Sequence, residues 1–482
     1  MALAFHALPL AGTILLLASR RVSLLGAGSV GMLLAMATLA AVQPDAGTAV
    51  AVVARKAAEG VWLAWHAMSI IAAGLLFHRA YEARPVAAEA AAGVEDRRRT
   101  AVTACFLVGP FAESVTGFGI GLVVALAMLR PLDLPPVRAA ALGLFSQILV
   151  PWGAMGVGTR VGAELVGVTF ADLGSTSALL MLVVLPGVLP VFWWLIHRSG
   201  IASRPADRLR DLLLVLALGG LIWATNRFVA PELGGGLSTG LLLLLLEGPR
   251  RLRDPAALPR LAGRLWPYAL LVGGLMATRL LPPLSGWTAS WLVLDPFDGL
   301  APLPVLRHPS SWLVLLAMAL LVRLPPGAAG GVVTGALRAA LMPMATTLVF
   351  IVLAVCMAAS GGAALFGAAW RELAGPFAVL ATPLFGAAVG MLTGSNTAGN
   401  ALMMTIQLNL AAGSGVPPLL VAALQAVSGS LWTMLNPGRI VMAASLLGLA
   451  RAEGAVYRAS LPIGVAAVLV LLAVVAVARF AA

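Results

Sequence analysis

Two charged residues stand where apolar stretches of the chain are interrupted. Glu113 lies in Phe111-Ala-Glu-Ser-Val-Thr-Gly117, and Arg439 follows Asn436-Pro437. Of the 19 acidic residues, Glu113 is the only one that the sequence places within the membrane, and Arg439 is the only basic residue within a span. A charge in hydrocarbon costs about 3 kcal/mol or more, so each needs a partner or a function. We predict Glu113 as the proton-coupling residue, with a carboxylate cap on the broken helix as the alternative.

The remaining candidate residues suit the binding of an organic anion. The guanidinium of Arg439 matches a carboxylate in geometry, although it could instead neutralise Glu113 or extend toward the cytoplasmic surface. Helix N-termini with hydroxyl and amide donors suit an anion, and unwound carbonyls suit Na⁺; the alternative is that these groups satisfy the local backbone. The predicted substrate-binding residues are Ser114, Thr116, Gly117, Gln147, Ser395, Asn396, Thr397, Asn400, Gln425 and Arg439. We predict no catalytic residue, metal site or cofactor.

The composition requires that most of the chain lies in a membrane. Of 482 residues, 61% are hydrophobic and 10% are charged. Apolar windows of about 20 residues recur along the chain, which predicts membrane helices rather than a barrel. The net charge of +12 is spread singly and in pairs between these windows. It is therefore a topology signal and does not indicate a nucleic-acid partner.

The predicted fold class is an all-α polytopic membrane protein with about 12 transmembrane helices and two re-entrant hairpins. The hairpins lie near residues 101–129 and 377–412, where small and polar residues interrupt apolar runs. Broken helices are tolerated in hydrocarbon only where protein or a water-filled cavity covers them. The predicted spans are roughly 3–18, 24–42, 61–80, 139–168, 174–196, 210–228, 233–247, 265–281, 311–323, 339–359, 416–448 and 457–478.

The two hairpins belong to an internal repeat. An offset of 281 residues pairs Gly109 with Gly390, Ser114 with Ser395 and Pro136 with Pro417. The distribution of arginine favours hairpins that enter from opposite sides, which an inverted repeat would produce. The predicted organisation is N-terminal transmembrane helices (1–60), a first repeat (61–200), central transmembrane helices (201–330) and a second repeat (331–482).

At these motifs the chain resembles the L-lactate permease family, the bacterial proton symporters of lactate and glycolate. The shared features are Glu113 with Gly117-Phe118-Gly119, the stretch Thr393-Gly-Ser-x-Thr397, and Pro437. The family has Asp where this chain has Asn396, and its Ser-Pro-Gln stretch appears here as Asn436-Pro-Gly438. Ser395-Asn-Thr397 is also similar to the signature of the divalent-anion sodium symporters. That resemblance implies an ion-transporter-type fold and an elevator motion.

We therefore predict a secondary active transporter, not an enzyme, in the bacterial inner membrane. The expected substrate is a small organic monocarboxylate of the lactate or glycolate type, carried by proton symport. A Na⁺-coupled carboxylate carrier is the first alternative, and an anion channel is the second. The expected partners are the organic anion and membrane lipid, with a homodimer left open.

Overall fold

The computed structural model describes residues 2–84, 96–251, 257–449 and 451–481, and nearly all of this part is helical. The helices are α1 (Ala2–Ser19), α2 (Leu24–Ala41), α3 (Ala46–Glu82), α4 (Arg97–Thr103), α5 (Gly109–Thr116), α6 (Ile120–Leu129), α7 (Pro136–Leu144), α8 (Gly153–Val166), α9 (Phe170–Arg198), α10 (Pro205–Phe228), α11 (Gly234–Arg251), α12 (Ala257–Leu280), α13 (Pro282–Ser290), α14 (Pro309–Leu321), α15 (Ala328–Ala359), α16 (Gly362–Ala374), α17 (Thr382–Thr393), α18 (Asn396–Ala411), α19 (Pro418–Trp432), α20 (Pro437–Leu446) and α21 (Glu453–Phe480).

Short irregular elements connect several of these helices. A π-helical turn lies at Ala104–Val108, and 3-10 turns lie at Arg130–Leu132, Phe145–Trp152, Pro231–Leu233, Gly375–Ala381 and Thr433–Leu435. The two-residue strands β1 (Val293–Leu294) and β2 (Leu303–Pro304) pair antiparallel between α13 and α14.

Helical membrane architecture is confirmed, but the number of spans is not. Within the described ranges, nine helices are long and apolar enough to cross a membrane, or up to ten if the bent pair Leu265–Leu280 and Pro282–Ser290 is one span. The predicted spans 3–18 and 311–323 form the short helices α1 and α14, and the span near 265–281 ends at a 90° bend. Helix α16 was not predicted as a separate element, and Gly362–Thr393 forms one of the nine candidates.

The predictions that Glu113 is the only acidic residue and Arg439 the only basic residue within the spans are both wrong. Glu59, Glu164 and Asp211 lie in the candidate spans Ala46–Glu82, Pro136–Val166 and Pro205–Phe228, which also contain Lys56 and Arg160. The physical reason is that these charged side chains lie close to side chains of opposite charge on the same or a neighbouring helix. Hydropathy alone would exclude such charges from a span, because it does not account for their partners.

Helices of the two halves pack reciprocally. The two longest helices, α3 and α15, lie against each other, while α2 packs on α15 and α14 packs on α3. In the other core, α19 packs on α9 and α21 packs on α7. The offset of 281 residues lays α2 over α14, α3 over α15, α7 over α19 and α9 over α21. This exchange of neighbours is compatible with the internal repeat, which stays a prediction.

At each predicted hairpin two packed helices are joined by a tight turn, while their re-entry into the membrane stays a prediction. Helices α5 and α6 are joined by Gly117, Phe118 and Gly119, which all have positive φ angles. The arms are close because a Cβ on Gly121 would lie 2.5 Å from the carbonyl oxygen of Gly109. Helices α17 and α18 are joined through Gly394, whose φ is 62°. These turns place two helix N-termini, those of α6 and α18, in the protein interior.

The close packing of α17 on α19 predicts that one added methyl group will destabilise the protein. In Gly390→Ala, the new Cβ on α17 would lie 1.9 Å from the carbonyl oxygen of Gly429 on α19. Backbone must move to accept it, so we expect a loss of about 1–3 kcal/mol in the free energy of unfolding. Gly273→Ala in α12 is the control, because no heavy atom lies within 4 Å of its Cβ position. Thermal unfolding in detergent measures both variants, and equal midpoints would contradict the proposed close contact.

Candidate functional site

Glu113 is a buried carboxylate that closes the break in the first hairpin. It lies on α5 and is 1% exposed. Its Oε1 accepts a hydrogen bond from the Gly119 N–H at 3.3 Å, and its Oε2 accepts one from the Gly121 N–H at 3.1 Å. The Gln147 side-chain amide also donates to Oε2, at 3.3 Å. The carboxylate therefore caps the N-terminus of α6, where the helix dipole favours negative charge.

Arg439 supplies the opposite charge from the other half of the chain. It lies in the first turn of α20, and its side chain is 14% exposed. Its Nη1 lies 3.7 Å from Oε1 of Glu113, which is an ion pair but longer than a hydrogen bond. This buried Nη1 has no hydrogen-bond partner within the described part of the chain. The guanidinium is thus neutralised by Glu113 while keeping a donor available for another acceptor.

Each hairpin tip rests on a broken helix of its own half. At Gly117, a Cβ would lie 2.7 Å from that of Ala154, in the left-handed start of α8. At the second tip, the Asn436 side-chain amide donates to the carbonyl of Met391 at 2.8 Å, and its Oδ1 accepts from the Gly438 N–H. Asn436, which was not among the predicted binding residues, therefore connects α17 to the start of α20.

The second hairpin also reaches across to α8 of the first half. Asn400 donates from Nδ2 to the carbonyl of Gly158 at 2.9 Å, whereas its buried Oδ1 has no hydrogen-bond partner among the described residues. Asn396 is 8% exposed and packs on Gly158, and the same search finds no partner for its Oδ1 or Nδ2. Buried polar atoms are normally paired, so these amides have capacity for a polar ligand.

The predicted Gln425 participates in an amide network of the second hairpin. Its Oε1 accepts from Nε2 of Gln407 at 2.9 Å, and its Nε2 donates to the carbonyl of Gly399 at 3.5 Å. Gln407 also donates to the carbonyl of Thr382. Gln407 was missed by the sequence analysis, although an amide within the apolar arm Asn396–Ala411 was the available signal.

The predicted hydroxyl residues lie at the hairpins, mostly against backbone. Thr116 donates to the carbonyl of Ala112 at 2.6 Å, and Ser395 caps α18 by accepting from the Ala398 N–H at 3.2 Å. Ser114 faces α11, where a Cβ on Gly235 would lie 2.1 Å from the serine Oγ. Thr397 is half-buried. These contacts match the alternative in which such groups satisfy local structure.

The pronounced cavities lie away from this ion pair. One of about 530 Å³ is lined by residues in the range 408–418. Another, of about 240 Å³, is lined by Lys56, Glu59, Glu164 and Thr405 together with apolar side chains. Neither of these two cavities is lined by Glu113 or Arg439.

The sequence of the chain is similar to those of known membrane proteins. The sequence model of the L-lactate permease family matches residues 303–482. The L-lactate permease of Escherichia coli (strain K12) is 22% identical over 418 residues, covering 75% of this chain and 74% of the relative. That of Salmonella typhimurium (strain LT2) is 22% identical over 422 residues, with the same coverage.

The chain is similar to L-lactate permeases. Together with the nine candidate spans, this similarity indicates a multi-pass membrane transporter rather than an enzyme. Among solved structures, MtrF of Neisseria gonorrhoeae, from a class of antimetabolite efflux pumps, covers 90% of this chain and 84% of its own at 15% identity and a TM-score of 0.43.

The capping geometry predicts that Glu113 contributes to stability. Glu113→Ala leaves two amide N–H groups and a guanidinium without their carboxylate, and we expect a loss of about 3 kcal/mol in the free energy of unfolding. Glu372→Ala, at an exposed position on α16, should change stability by less than about 0.5 kcal/mol. Unfolding in detergent by heat or denaturant checks both. A Glu113→Ala protein as stable as the control would show that the cap is not needed.

Proposed function

We propose that the chain is a secondary active transporter that carries a small monocarboxylate, of the lactate or glycolate type, across the bacterial inner membrane with a proton. The observation that carries the proposal is the ion pair of Arg439 and Glu113, at 3.7 Å, between the first hairpin and the broken helix of the second half. The similarity to proteins named L-lactate permease supports lactate as the substrate class.

The ion pair offers a direct way to couple the anion to the proton. While Glu113 is ionised, it neutralises Arg439, so a substrate carboxylate must compete for the guanidinium. A proton on Glu113 removes that competition and leaves Arg439 with an unbalanced positive charge in a desolvated site. The substrate carboxylate then takes the place of Glu113 and forms charge-assisted hydrogen bonds. The loaded site carries no net charge from these groups, which lowers the cost of crossing the bilayer.

The neighbouring amides suit the rest of an α-hydroxy acid. Asn396 and Asn400 lie at the start of α18 and hold buried atoms that lack partners within the described ranges. Amide groups can both donate to and accept from a hydroxyl. A hydroxyl beside the carboxylate would satisfy them, whereas a simple fatty acid would leave them unpaired at a cost of about 1–3 kcal/mol. We therefore expect a preference for lactate over propionate.

Alternating access follows, in this proposal, from movement of the two apolar cores against each other. One core is built around α7, α9, α19 and α21, and the other around α3, α14 and α15. Paired repeats with discontinuous helices suit rigid-body motion around a fixed site, so an elevator-type displacement of a hairpin-bearing unit is our proposed mechanism.

The first test separates the driving ion from the role of Glu113. Purified protein in proteoliposomes is supplied with labelled lactate under a pH gradient or a Na⁺ gradient, each imposed alone. We expect uptake with the pH gradient only. In Glu113→Gln the side chain at position 113 is permanently uncharged, so gradient-driven uptake should be lost while exchange of internal for external lactate persists. Uptake driven by Na⁺ alone and retained in Glu113→Gln would instead establish the Na⁺-coupled carrier, and conductance without coupling would establish a channel.

The second test addresses substrate binding by Arg439. Removal of a charge-assisted hydrogen bond costs about 1.5–3 kcal/mol, so Arg439→Gln should raise the KM of lactate exchange by roughly 10- to 100-fold. Arg439→Lys keeps the charge but loses the planar fork of donors. Its KM should therefore lie between those of the wild type and Arg439→Gln. Arg338→Gln, exposed on α15, is the matched control. An unchanged KM in Arg439→Gln would leave Arg439 with only a structural role beside Glu113.

A further inference from the structure

A second group of ionisable residues surrounds the cavity of about 240 Å³. The cavity lies between α3, α8, α15 and α18, and its polar lining consists of Lys56, Glu59, Glu164 and Thr405. Its rim is accessible, because the side chain of Lys56 is 35% exposed and that of the adjacent Arg55 is 73% exposed. A cavity of this volume with polar groups on its wall has room for several water molecules beside the carboxylates.

Glu164 is the group in this cavity whose polar atoms lack partners. Its side chain is 9% exposed, and neither Oε1 nor Oε2 has a hydrogen-bond partner among the residues that the structure describes. The same is true of the Thr405 Oγ1 that lines the cavity beside it. Glu59 differs, since Arg55 donates to its Oε1 at 3.1 Å and Lys56 to its Oε2 at 2.6 Å.

The imidazole ring of His66 lies next to the carboxylate of Glu164. His66 on α3 is 1% exposed, and its Nδ1 lies 3.3 Å from Oε1 of Glu164. Within the described part of the chain, neither ring nitrogen has a hydrogen bond of good geometry. A small rotation would let one proton be shared between Oε1 and Nδ1. The short distance between Oε1 and Nδ1 suits the pair to bind a proton. Neither atom has another hydrogen-bond partner among the described residues.

The charges that face this pair come from several elements. On α8, Nη1 of Arg160 lies 3.8 Å from Oε1 of Glu164, and on α3 the Lys56–Glu59 pair lines the same cavity. Helix α18 contributes the uncharged Thr405. Beyond His66 lies His308, with ring centroids 6.0 Å apart, and Arg279 is paired with Glu232 nearby.

His308 adds no positive charge near neutral pH. It precedes α14, and burial, together with the cations Arg160 and Arg279, lowers its pKa well below the ordinary histidine value. Arg279 is balanced by Glu232 through a short ion pair. Glu164 therefore faces one cation directly, Arg160, whose side chain is 20% exposed and also lies over the ring of Phe170 at 4.8 Å.

We propose that Glu164 and His66 form a proton-binding site, separate from Glu113, that exchanges protons with bulk water through this cavity. The proton enters from water and is held between Oε1 of Glu164 and Nδ1 of His66. As a coupling site it rests on the proposed transport function, but proton binding itself does not. Helix α8 also carries Gly158, whose carbonyl accepts from Asn400 of the second hairpin. The same helix thus connects the proton site to the proposed substrate site.

The chemistry favours a proton over a metal cation. Na⁺ needs several oxygen ligands, but both oxygens of Glu59 already accept from cations. Among the described side chains that line the cavity, the oxygens without a hydrogen-bond partner are those of Glu164 and Thr405, and the charges of Lys56 and Arg160 oppose another cation. A proton needs one acceptor and the imidazole beside it.

Infrared difference spectroscopy tests the proposal on the full-length protein without requiring transport. Spectra of wild type, Glu164→Gln, Glu113→Gln and Glu59→Gln are compared between neutral and acidic buffer, in the carbonyl-stretch region of a buried protonated carboxyl group. We expect a band that Glu164→Gln loses and both other variants keep. Glu59→Gln is the matched control, because Glu59 lines the same cavity with both oxygens paired. Thermal unfolding verifies that each variant is folded.

The His66 variant shows whether the site is a pair. In His66→Phe the protonated carboxyl loses its hydrogen-bond acceptor, so the frequency of the Glu164 band should differ from that of wild type. The absence of any band that depends on Glu164, with the Glu164→Gln spectrum equal to that of wild type, would overturn the proposal. A band that responds to NaCl against choline chloride at fixed pH would replace it with a cation site. Failure of lactate uptake with the Glu164 band intact would remove the transport proposal alone.

Discussion

The chain must satisfy the backbone groups of interrupted helices in the interior of a protein with few polar residues. An unsatisfied N–H or C=O group in hydrocarbon costs several kcal/mol. Glu113 solves this problem for α6 with a carboxylate, and Ser395 solves it for α18 with a hydroxyl. Asn436 caps α20 and binds the carbonyl of Met391 at the same time. The hairpins can end in the interior because these side chains replace the missing helix partners.

The caps of the two hairpins differ in charge, because α6 is capped by a carboxylate and α18 by a hydroxyl. The proposed function follows from that difference. At the offset of 281 residues, Glu113 corresponds to Gly394 and Arg439 corresponds to Gly158. One half thus supplies the carboxylate and the other supplies the guanidinium, although their helices pack reciprocally. The ion pair joins the two halves where their helix breaks meet. A ligand that binds to Glu113 or Arg439 changes the electrostatic energy of the contact between the halves. Such a change is the physical requirement for coupled movement.

Glu113 and Glu164 are both buried, but their surroundings suit them to different tasks. Glu113 accepts three N–H hydrogen bonds and faces Arg439, so a proton on it must displace existing interactions. Glu164 has no hydrogen-bond partner on either oxygen among the described residues, and it has an imidazole at 3.3 Å and a cavity at its side. Proton release at Glu113 would be tied to the position of Arg439. Exchange at Glu164 would be tied to access of water, and the two steps need not occur together.

The sequence by itself determined the helical membrane class, the positions of the helix breaks and the presence of Glu113 and Arg439 beside them. These are local properties, because apolar length, glycine turns and isolated charges depend on neighbours in the chain. The pairing of Arg439 with Glu113, the contact of Asn400 with Gly158 and the His66–Glu164 pair join residues far apart in sequence. The predicted span 139–168 contains Glu164, but hydropathy scores the charge and not its partners. Only tertiary packing could bring those partners together and decide which polar groups remain free.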